Sequence, residues 1–217
     1  MKKVLKCTDF ILLRLIPTIF LLFLLYSDIR NSLQSFNIIG NYGSFLLFLE
    51  NFSIIMCFVF LGITAVLRAF KKTVKGSILC RYGACVMALI YITLYICEEI
   101  QVVRFQLCFS NYFLLFTIQK AMYIIGLLIV IVNCFLNNKF YKTKWILTIV
   151  CALSIFVAFF CSPLYTLIKY NDTVNLRFLL NSFLYSYSYC AVILSGLSPS
   201  KTERKVAMLY SVFEKKW

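Results

Sequence analysis

The stretch that decides the fold spans residues 45–67 and reads FLLFLENFSIIMCFVFLGITAVL. It carries one charged residue, Glu50, and an apolar helix of about 20 residues is long enough to cross the hydrocarbon core of a bilayer. Five further apolar stretches of similar length precede or follow it. The six predicted spans are 10–26, 45–67, 78–97, 113–136, 145–168 and 177–197. The sequence therefore predicts an all-α integral membrane protein built as a bundle of six transmembrane helices.

The composition supports this class. Hydrophobic residues make up 62% of the chain and charged residues 14%, whereas a soluble domain has about 45–50% and 25%. The connections between the spans are too short to bury a core of their own. We therefore expect one membrane domain over residues 1–197 and a separate tail over 198–217.

The basic residues are distributed unevenly between the connections. With both termini on one side of the membrane, that side has 16 lysines and arginines, whereas the other has 4. The positive-inside rule then predicts cytoplasmic termini. The net charge of +14 is explained by this orientation and by attraction to an anionic inner leaflet, so no nucleic-acid partner is expected. We expect a bacterial cytoplasmic membrane. The basic residues assigned to the membrane surface are Lys71, Lys72, Lys75, Lys139, Lys142, Lys144, Lys201, Arg204 and Lys205.

The tail shows helical periodicity. Its large apolar side chains recur three and four residues apart between Val206 and Trp217, with basic residues around them. This pattern predicts an amphipathic helix on the inner membrane surface. Two roles remain open for it, a lipid-facing anchor and a docking helix for a membrane or cytoplasmic protein partner.

Three charged residues fall inside the predicted spans: Arg14, Glu50 and Lys120. Charges at this depth are costly and need an explanation. The side chain of Arg14 is long enough to reach the inner headgroups. Glu50 and Lys120 enter their helices from the outer side to similar depths, beside Asn51 and Gln119. The alternatives are a structural ion pair, two independent interfacial groups, and a functional polar site.

The last helix presents a broad polar face. Asn181, Tyr185 and Ser188 form one stripe at helical spacing, and Ser182, Ser186 and Tyr189 form the next stripe. Small polar residues commonly hold membrane helices together. The same face could also line a polar cavity.

Pro17 lies one to two turns inside the first predicted helix. It has no backbone N–H, so it should distort that helix. A membrane helix tolerates such a defect when neighbouring groups cover the freed carbonyl.

Cys97 and Cys108 bracket an acidic outer connection. In an oxidising compartment they would form a disulfide, and the alternative is two free thiols. The chain's other cysteines lie mostly inside spans and are expected to be small apolar core residues.

The sequence has no histidine, which excludes serine–histidine and cysteine–histidine hydrolases and HExxH metalloproteases. We therefore expect no enzyme, cofactor or metal.

The function favoured by the sequence is an accessory, immunity-type or complex-forming membrane protein that acts through helix and tail contacts. The alternative is a transporter or permease subunit for a small solute or ion, with a polar cavity near Glu50, Lys120 and the last helix. A water-accessible cavity at Glu50, Lys120 and Tyr185 would favour this alternative, and a solid bundle the first.

Overall fold

The computed structural model describes residues 8–39, 42–69, 74–102, 111–136, 140–170 and 176–198. Side chains are described over 8–31, 48–69, 76–96, 118–136, 140–160 and 180–198. This part of the chain is helical between short turns and contains no strand. Helix α1 joins a π-helical stretch, Ile11–Leu15, to an α-helix, Ile16–Ile39. The helices that follow are α2 (Tyr42–Leu67), α3 (Val74–Val102), α4 (Asn111–Phe135), α5 (Tyr141–Tyr170) and α6 (Leu176–Leu197).

Among the described residues, five helices are long and apolar enough to cross a membrane. They belong to α1 through α5, and this is the make-up of an integral membrane protein. Several helices are longer than the apolar stretches that predict them. Helix α1 continues through Ile39, although its apolar run stops near Tyr26. The intervening sequence is polar but has no glycine or proline before Gly40, and polarity alone does not end a helix.

Helix α2 lies at the centre of the bundle. It packs against α1, α3 and α6, while α4 packs against α5 and α5 against α6. Phe58 and Leu61 of α2 are completely buried, together with Leu127 of α4, Ile155 of α5 and Ile193 of α6. The apolar side chains on the outer surfaces of the other helices are not covered by other parts of the chain. An uncovered apolar surface suits contact with lipid. The core therefore follows α2.

Small residues on α3 and α5 explain how these helices come close to their neighbours. In α5, Cys151, Ala152, Ile155 and Ala158 are buried at spacings of one, three and three residues, along one face of the helix. In α3, Ala84, Cys85 and Ala88 do the same. Such stripes allow close contact between helix backbones.

Glycines mark the tightest helix contacts. A Cβ atom added at Gly62 of α2 would lie 2.6 Å from Thr18 Oγ1 of α1. At Gly126 of α4 it would lie 2.8 Å from Ile155 Cδ1, and at Gly196 of α6 it would lie 2.6 Å from the Leu61 carbonyl oxygen. Contacts this short do not occur between real side chains, so an added methyl group would force a neighbour to move. At Gly196 the neighbour is helix backbone, which cannot rotate away.

Pro17 has the predicted effect on α1. The π-helical stretch ends at Leu15, two residues before Pro17. The carbonyl of Leu13, four residues before Pro17, lies 3.2 Å from Ser195 Oγ of α6, whose single proton is shared with the Ala191 carbonyl of its own helix at 2.6 Å. The neighbouring Leu12 carbonyl accepts a hydrogen bond from the Tyr187 hydroxyl at 2.6 Å. Hydroxyl groups of α6 therefore lie beside the carbonyls that precede Pro17.

Arginines bind carbonyls near the ends of two helices. Arg14 Nη1 donates to the Ala65 carbonyl in the last turn of α2 at 2.9 Å. Arg68 Nη1 donates to the Gly196 carbonyl at 2.8 Å and the Ser198 carbonyl at 2.6 Å, where α6 ends. The last carbonyls of a helix lack intrahelical donors, and cations are favourable there. Arg14 thus has a hydrogen-bond acceptor inside the protein as well as a side chain suited to snorkelling.

Candidate functional site

Polar groups are concentrated at the two ends of the bundle. We call the end that contains Arg14, Arg68, Arg81 and Lys144 the basic end, and the opposite end the cavity end. Asp28 lies 14 residues beyond Arg14 on α1, a distance of about 21 Å at 1.5 Å per residue.

The cavity end contains a cavity of about 270 Å³ around Glu50. We call it the Glu50 cavity. Its lining comprises Glu50, Asn51, Ile54, Ile55, Tyr91, Gln119, Lys120, Tyr123, Phe159 and Tyr189. Residues of α2, α3, α4, α5 and α6 therefore meet around one space. All four polar residues grouped by the sequence, Glu50, Asn51, Gln119 and Lys120, lie in this lining.

Glu50 is the more buried of the two charged groups, with 5% of its surface exposed. Lys120 is half-buried, and its Nζ lies 5.0 Å from the centroid of the Tyr95 ring, a cation–π distance. The helices that carry the two charges, α2 and α4, are not among the extensively packed pairs of the described residues. They contribute to the cavity from separate walls. An ion pair between Glu50 and Lys120 remains a prediction.

Aromatic rings form the inner wall of the cavity. Tyr189 lies at its centre, with its ring centroid 4.7 Å from that of Phe58 and 4.7 Å from that of Phe159. Phe159 also contacts Tyr123 edge to face at 5.7 Å and stacks with Tyr185 at 6.0 Å. Paired rings of this kind hold one another in place, so the wall is rigid.

A second cavity of about 270 Å³ adjoins the first at Ile55, Phe159 and Tyr189. We call it the Asp28 cavity. Its lining comprises Leu24, Ser27, Asp28, Asn31, Ile55, Phe159, Tyr185 and Tyr189. Asp28 Oδ2 is inaccessible to solvent and has no hydrogen-bond partner among the described residues. Tyr185, predicted on the polar face of the last helix, thus lies at this second cavity.

A buried hydrogen-bond network occupies the basic end. Asn133 is fully buried; its Nδ2 donates to the Lys144 carbonyl and to Thr148 Oγ1, both at 3.1 Å. Its Oδ1 accepts from Arg81 Nη2 at 3.3 Å. Thr148 Oγ1 in turn donates to the Lys144 carbonyl at 2.7 Å. The network links α3, α4 and α5.

Lys144 corrects one prediction. The sequence assigns it to the membrane surface, but only 2% of its surface is exposed. The reason is its position one helical turn before Thr148, on the face of α5 that packs inward. Lys142, two residues earlier, points the other way and is exposed as predicted.

The two polar stripes predicted on the last helix differ in burial. Asn181 is exposed, Tyr185 is half-buried and Ser188 is buried. The buried face of α6 comprises Ser182, Ser186, Ser188 and Tyr189. The second of the two predicted stripes therefore packs inward.

Several predicted residues lie outside the described part of the chain. The side chains of Cys97 and Cys108 are in this group, so their disulfide remains a prediction. The others are Lys71, Lys72, Lys75, Lys139, Lys201, Arg204, Lys205 and the amphipathic helix of 198–217. The described cysteines Cys57, Cys80, Cys85, Cys134, Cys151 and Cys190 are free thiols.

Sequence reasoning missed Asp28 and the aromatic residues of the site. Asp28 lies just after the first predicted span, 10–26, so the pattern of apolar residues places it in a connection. A signal was available in the tyrosines: Tyr91, Tyr123 and Tyr189 lie well inside apolar stretches. Tyrosine usually lies at the membrane interface, so its recurrence deeper in several spans indicates a polar interior.

No known protein family, curated protein or solved structure matches this chain.

Proposed function

We propose that this protein binds a small solute within the membrane, as a transporter or permease subunit, and that the Glu50 cavity is its binding site. The observation that supports this function is a single cavity that has an acidic and a basic side chain, two amides and four tyrosines or phenylalanines in its lining. Ligand sites typically combine apolar and aromatic walls with a few convergent polar groups. Charges inside a membrane helix are costly, and they commonly mark a solute pathway.

The chemistry of the lining favours a zwitterionic solute. Glu50 offers an acceptor for an ammonium group and Lys120 a donor for a carboxylate, from different helices. Asn51 and Gln119 provide neutral hydrogen-bonding groups beside them. A cavity of about 270 Å³ is slightly below the usual range of drug-sized pockets, about 300–1,000 Å³. A solute of amino-acid size fits these properties.

Thermal stabilisation of the purified full-length protein in detergent tests this proposal. The probes are the standard amino acids and glycine betaine. We expect at least one of them to raise the melting temperature with saturation, and Glu50→Gln and Lys120→Met each to abolish this response. Lys142→Met, which changes an exposed lysine of α5 outside the cavity, is the matched control. The proposal fails if no probe stabilises the wild type, or if both cavity variants respond as it does.

The same variants separate a solute site from a structural ion pair. If Glu50 and Lys120 stabilise the fold by pairing, the double variant should recover stability lost in each single variant. If each contacts the solute, the double variant should remain unresponsive whatever its stability. A double variant as stable as the wild type and still unresponsive would support both roles.

The proposed orientation has six spans, cytoplasmic termini and the Glu50 cavity toward the outer side. The contacts of Arg14, Arg68, Arg81 and Lys144 at one end of the bundle support it, because basic residues are enriched on the cytoplasmic side. Alkaline phosphatase and green fluorescent protein fused to residue 217 test it. We expect fluorescence without phosphatase activity, and the reverse result would contradict the orientation.

An accessory function is the second candidate. The close helix contacts at Gly62, Gly126 and Gly196 support it, since helices packed this closely move little against one another. The partner would bind through helix contacts or through the tail 198–217, whose basic residues also suit an anionic leaflet. Affinity purification from native membranes tests it, with the chain lacking 200–217 as comparison. A stoichiometric partner that the truncated chain loses, without any solute response, would favour this function.

A further inference from the structure

The Asp28 cavity has features that the proposed solute site does not use. It lies on the α1 side of Tyr189, and its only described acidic side chain is Asp28. The Oδ2 atom of this carboxylate is shielded from solvent without a hydrogen-bond partner among the described residues. A buried acceptor in this state costs free energy, of the order of 1–3 kcal/mol and more when charged. A bound cation beside Oδ2 would offset this cost.

The residues that line the cavity indicate what kind of cation fits. Three aromatic residues, Phe159, Tyr185 and Tyr189, line the cavity together with Asp28. The rings of Phe159 and Tyr185 are nearly parallel, with an interplanar angle of 7° and a centroid separation of 6.0 Å. Aromatic faces attract ammonium groups, and a carboxylate beside them supplies the opposite charge. This combination is suited to an organic cation.

A bare metal ion fits the cavity less well. A hard cation takes several oxygen ligands at about 2.0–2.6 Å, which requires a narrow site. The Asp28 cavity measures about 270 Å³ and five of its eight lining residues are aromatic or aliphatic. Among the described residues, no group of three or more histidine, cysteine or acidic side chains could hold a metal. A ligand with an apolar surface around its charge matches the lining better.

We propose that the Asp28 cavity is a second binding site, which takes a small organic ammonium ion. Its positive charge pairs with the Asp28 carboxylate, and its alkyl groups contact Phe159, Tyr185 and Tyr189. Ser27 and Asn31 supply polar contacts for a hydroxyl or a further N–H of the ligand. This site is separate from the zwitterion site around Glu50, and the two share the wall of Ile55, Phe159 and Tyr189.

Equilibrium binding of radiolabelled choline to the purified full-length protein in detergent tests this proposal. Asp28→Asn keeps the shape of the side chain and removes its charge. We expect it to weaken choline binding by about tenfold or more, because the quaternary ammonium loses the opposite charge beside it while its contacts with the aromatic rings remain. Asp9→Asn makes the same change at an exposed position of the same helix and should leave choline affinity unchanged. The uncharged carbon isostere of choline should not compete.

The fold is monitored separately through the melting temperature. Because Asp28 Oδ2 has no described partner, Asp28→Asn should be at least as stable as the wild type. A large fall in its melting temperature would overturn the proposal by showing that the carboxylate has a structural role. The proposal also fails if the wild type binds no choline or tetramethylammonium, if Asp28→Asn binds choline as tightly as the wild type, or if sodium displaces choline at equal concentration.

The two proposed sites can fail independently. Glu50→Gln and Lys120→Met alter groups that line only the Glu50 cavity, so they should retain choline binding. Loss of the amino-acid response in these variants with choline binding intact supports two sites. Loss of choline binding in Glu50→Gln to the same extent as in Asp28→Asn would overturn a separate cation site.

Discussion

Replacing Gly196 with alanine tests the packing of the bundle at its closest backbone contact. The new Cβ would lie 2.6 Å from the Leu61 carbonyl oxygen, 3.2 Å from its carbonyl carbon and 3.3 Å from its Cβ. Ordinary contact begins near 3.4 Å, so α6 would have to move about 0.8 Å from α2. The obstacle is helix backbone, which cannot rotate away as a side chain does.

Two opposing terms set the magnitude. Overpacking costs typically 1–3 kcal/mol, and a rigid backbone contact favours the upper part of this range. Alanine recovers about 1 kcal/mol because it is the better helix former. We therefore expect a net loss of about 2 kcal/mol, or a fall of about 4–8 °C in melting temperature for a chain of this size. The shift would also disturb the bond from Arg68 to the Gly196 carbonyl.

The assay is thermal unfolding in detergent, followed by fluorescence-detected size-exclusion chromatography of a tagged protein. Gly76→Ala is the matched control. A Cβ there meets only the Leu67 Cδ1 atom at 3.4 Å, so this variant should be as stable as the wild type or more stable. If Gly196→Ala melts at or above the wild-type temperature, α6 and α2 do not pack as closely as the geometry requires.

Two further predictions concern hydrogen bonds between helices. Ser195→Ala removes a hydroxyl shared between the Leu13 carbonyl of α1 and the Ala191 carbonyl of its own helix. It should destabilise the protein by about 0.5–1 kcal/mol, seen as a lower melting temperature. Thr93→Ala, at an exposed hydroxyl that bonds only within its own helix, should change it less, and equal effects would contradict the role assigned to Ser195. Asn133→Leu removes the polar side chain shared by α3, α4 and α5 and should cost about 2–3 kcal/mol, because the groups it joins stay buried. Retention of the wild-type melting temperature in Asn133→Leu would show that the network does not stabilise the bundle.

The sequence was most informative where a single physical rule decides the outcome. Apolar length predicts a membrane protein and locates each helix, because hydrocarbon requires a continuous apolar surface. Pro17 is a similar case. Its missing N–H predicts a distortion of the helix and a neighbouring donor near the freed carbonyl, and the Ser195 hydroxyl lies beside that carbonyl. The helix ends were harder to predict. Helix α1 extends beyond its apolar run because the residues after Tyr26 lack a breaker.

The candidate site could be predicted in part. Glu50 and Lys120 were found because a charge inside an apolar stretch is conspicuous, and the structure places them at one cavity. Asp28 gave no such signal, since an acid just past the end of an apolar run resembles an ordinary connection residue. The prediction that Lys144 lies at the membrane surface was wrong for a different reason. It lies in a basic connection by sequence, but a helix beginning at Tyr141 turns it inward.

The described acidic residues of the bundle interior lie at the opposite end from its buried basic residues. Arg81 and Lys144 are buried at the basic end, where Arg81 donates to Asn133 and the Lys144 carbonyl accepts from it. Asp28 and Glu50 lie at the other end, each beside a cavity about as large as a small metabolite. A side chain that joins several helices by hydrogen bonds is typical of architecture, whereas a charged side chain in the lining of a cavity is placed where a ligand could contact it. The cavity end is therefore where substitutions should change binding more than stability, and the basic end is where they should change stability more than binding.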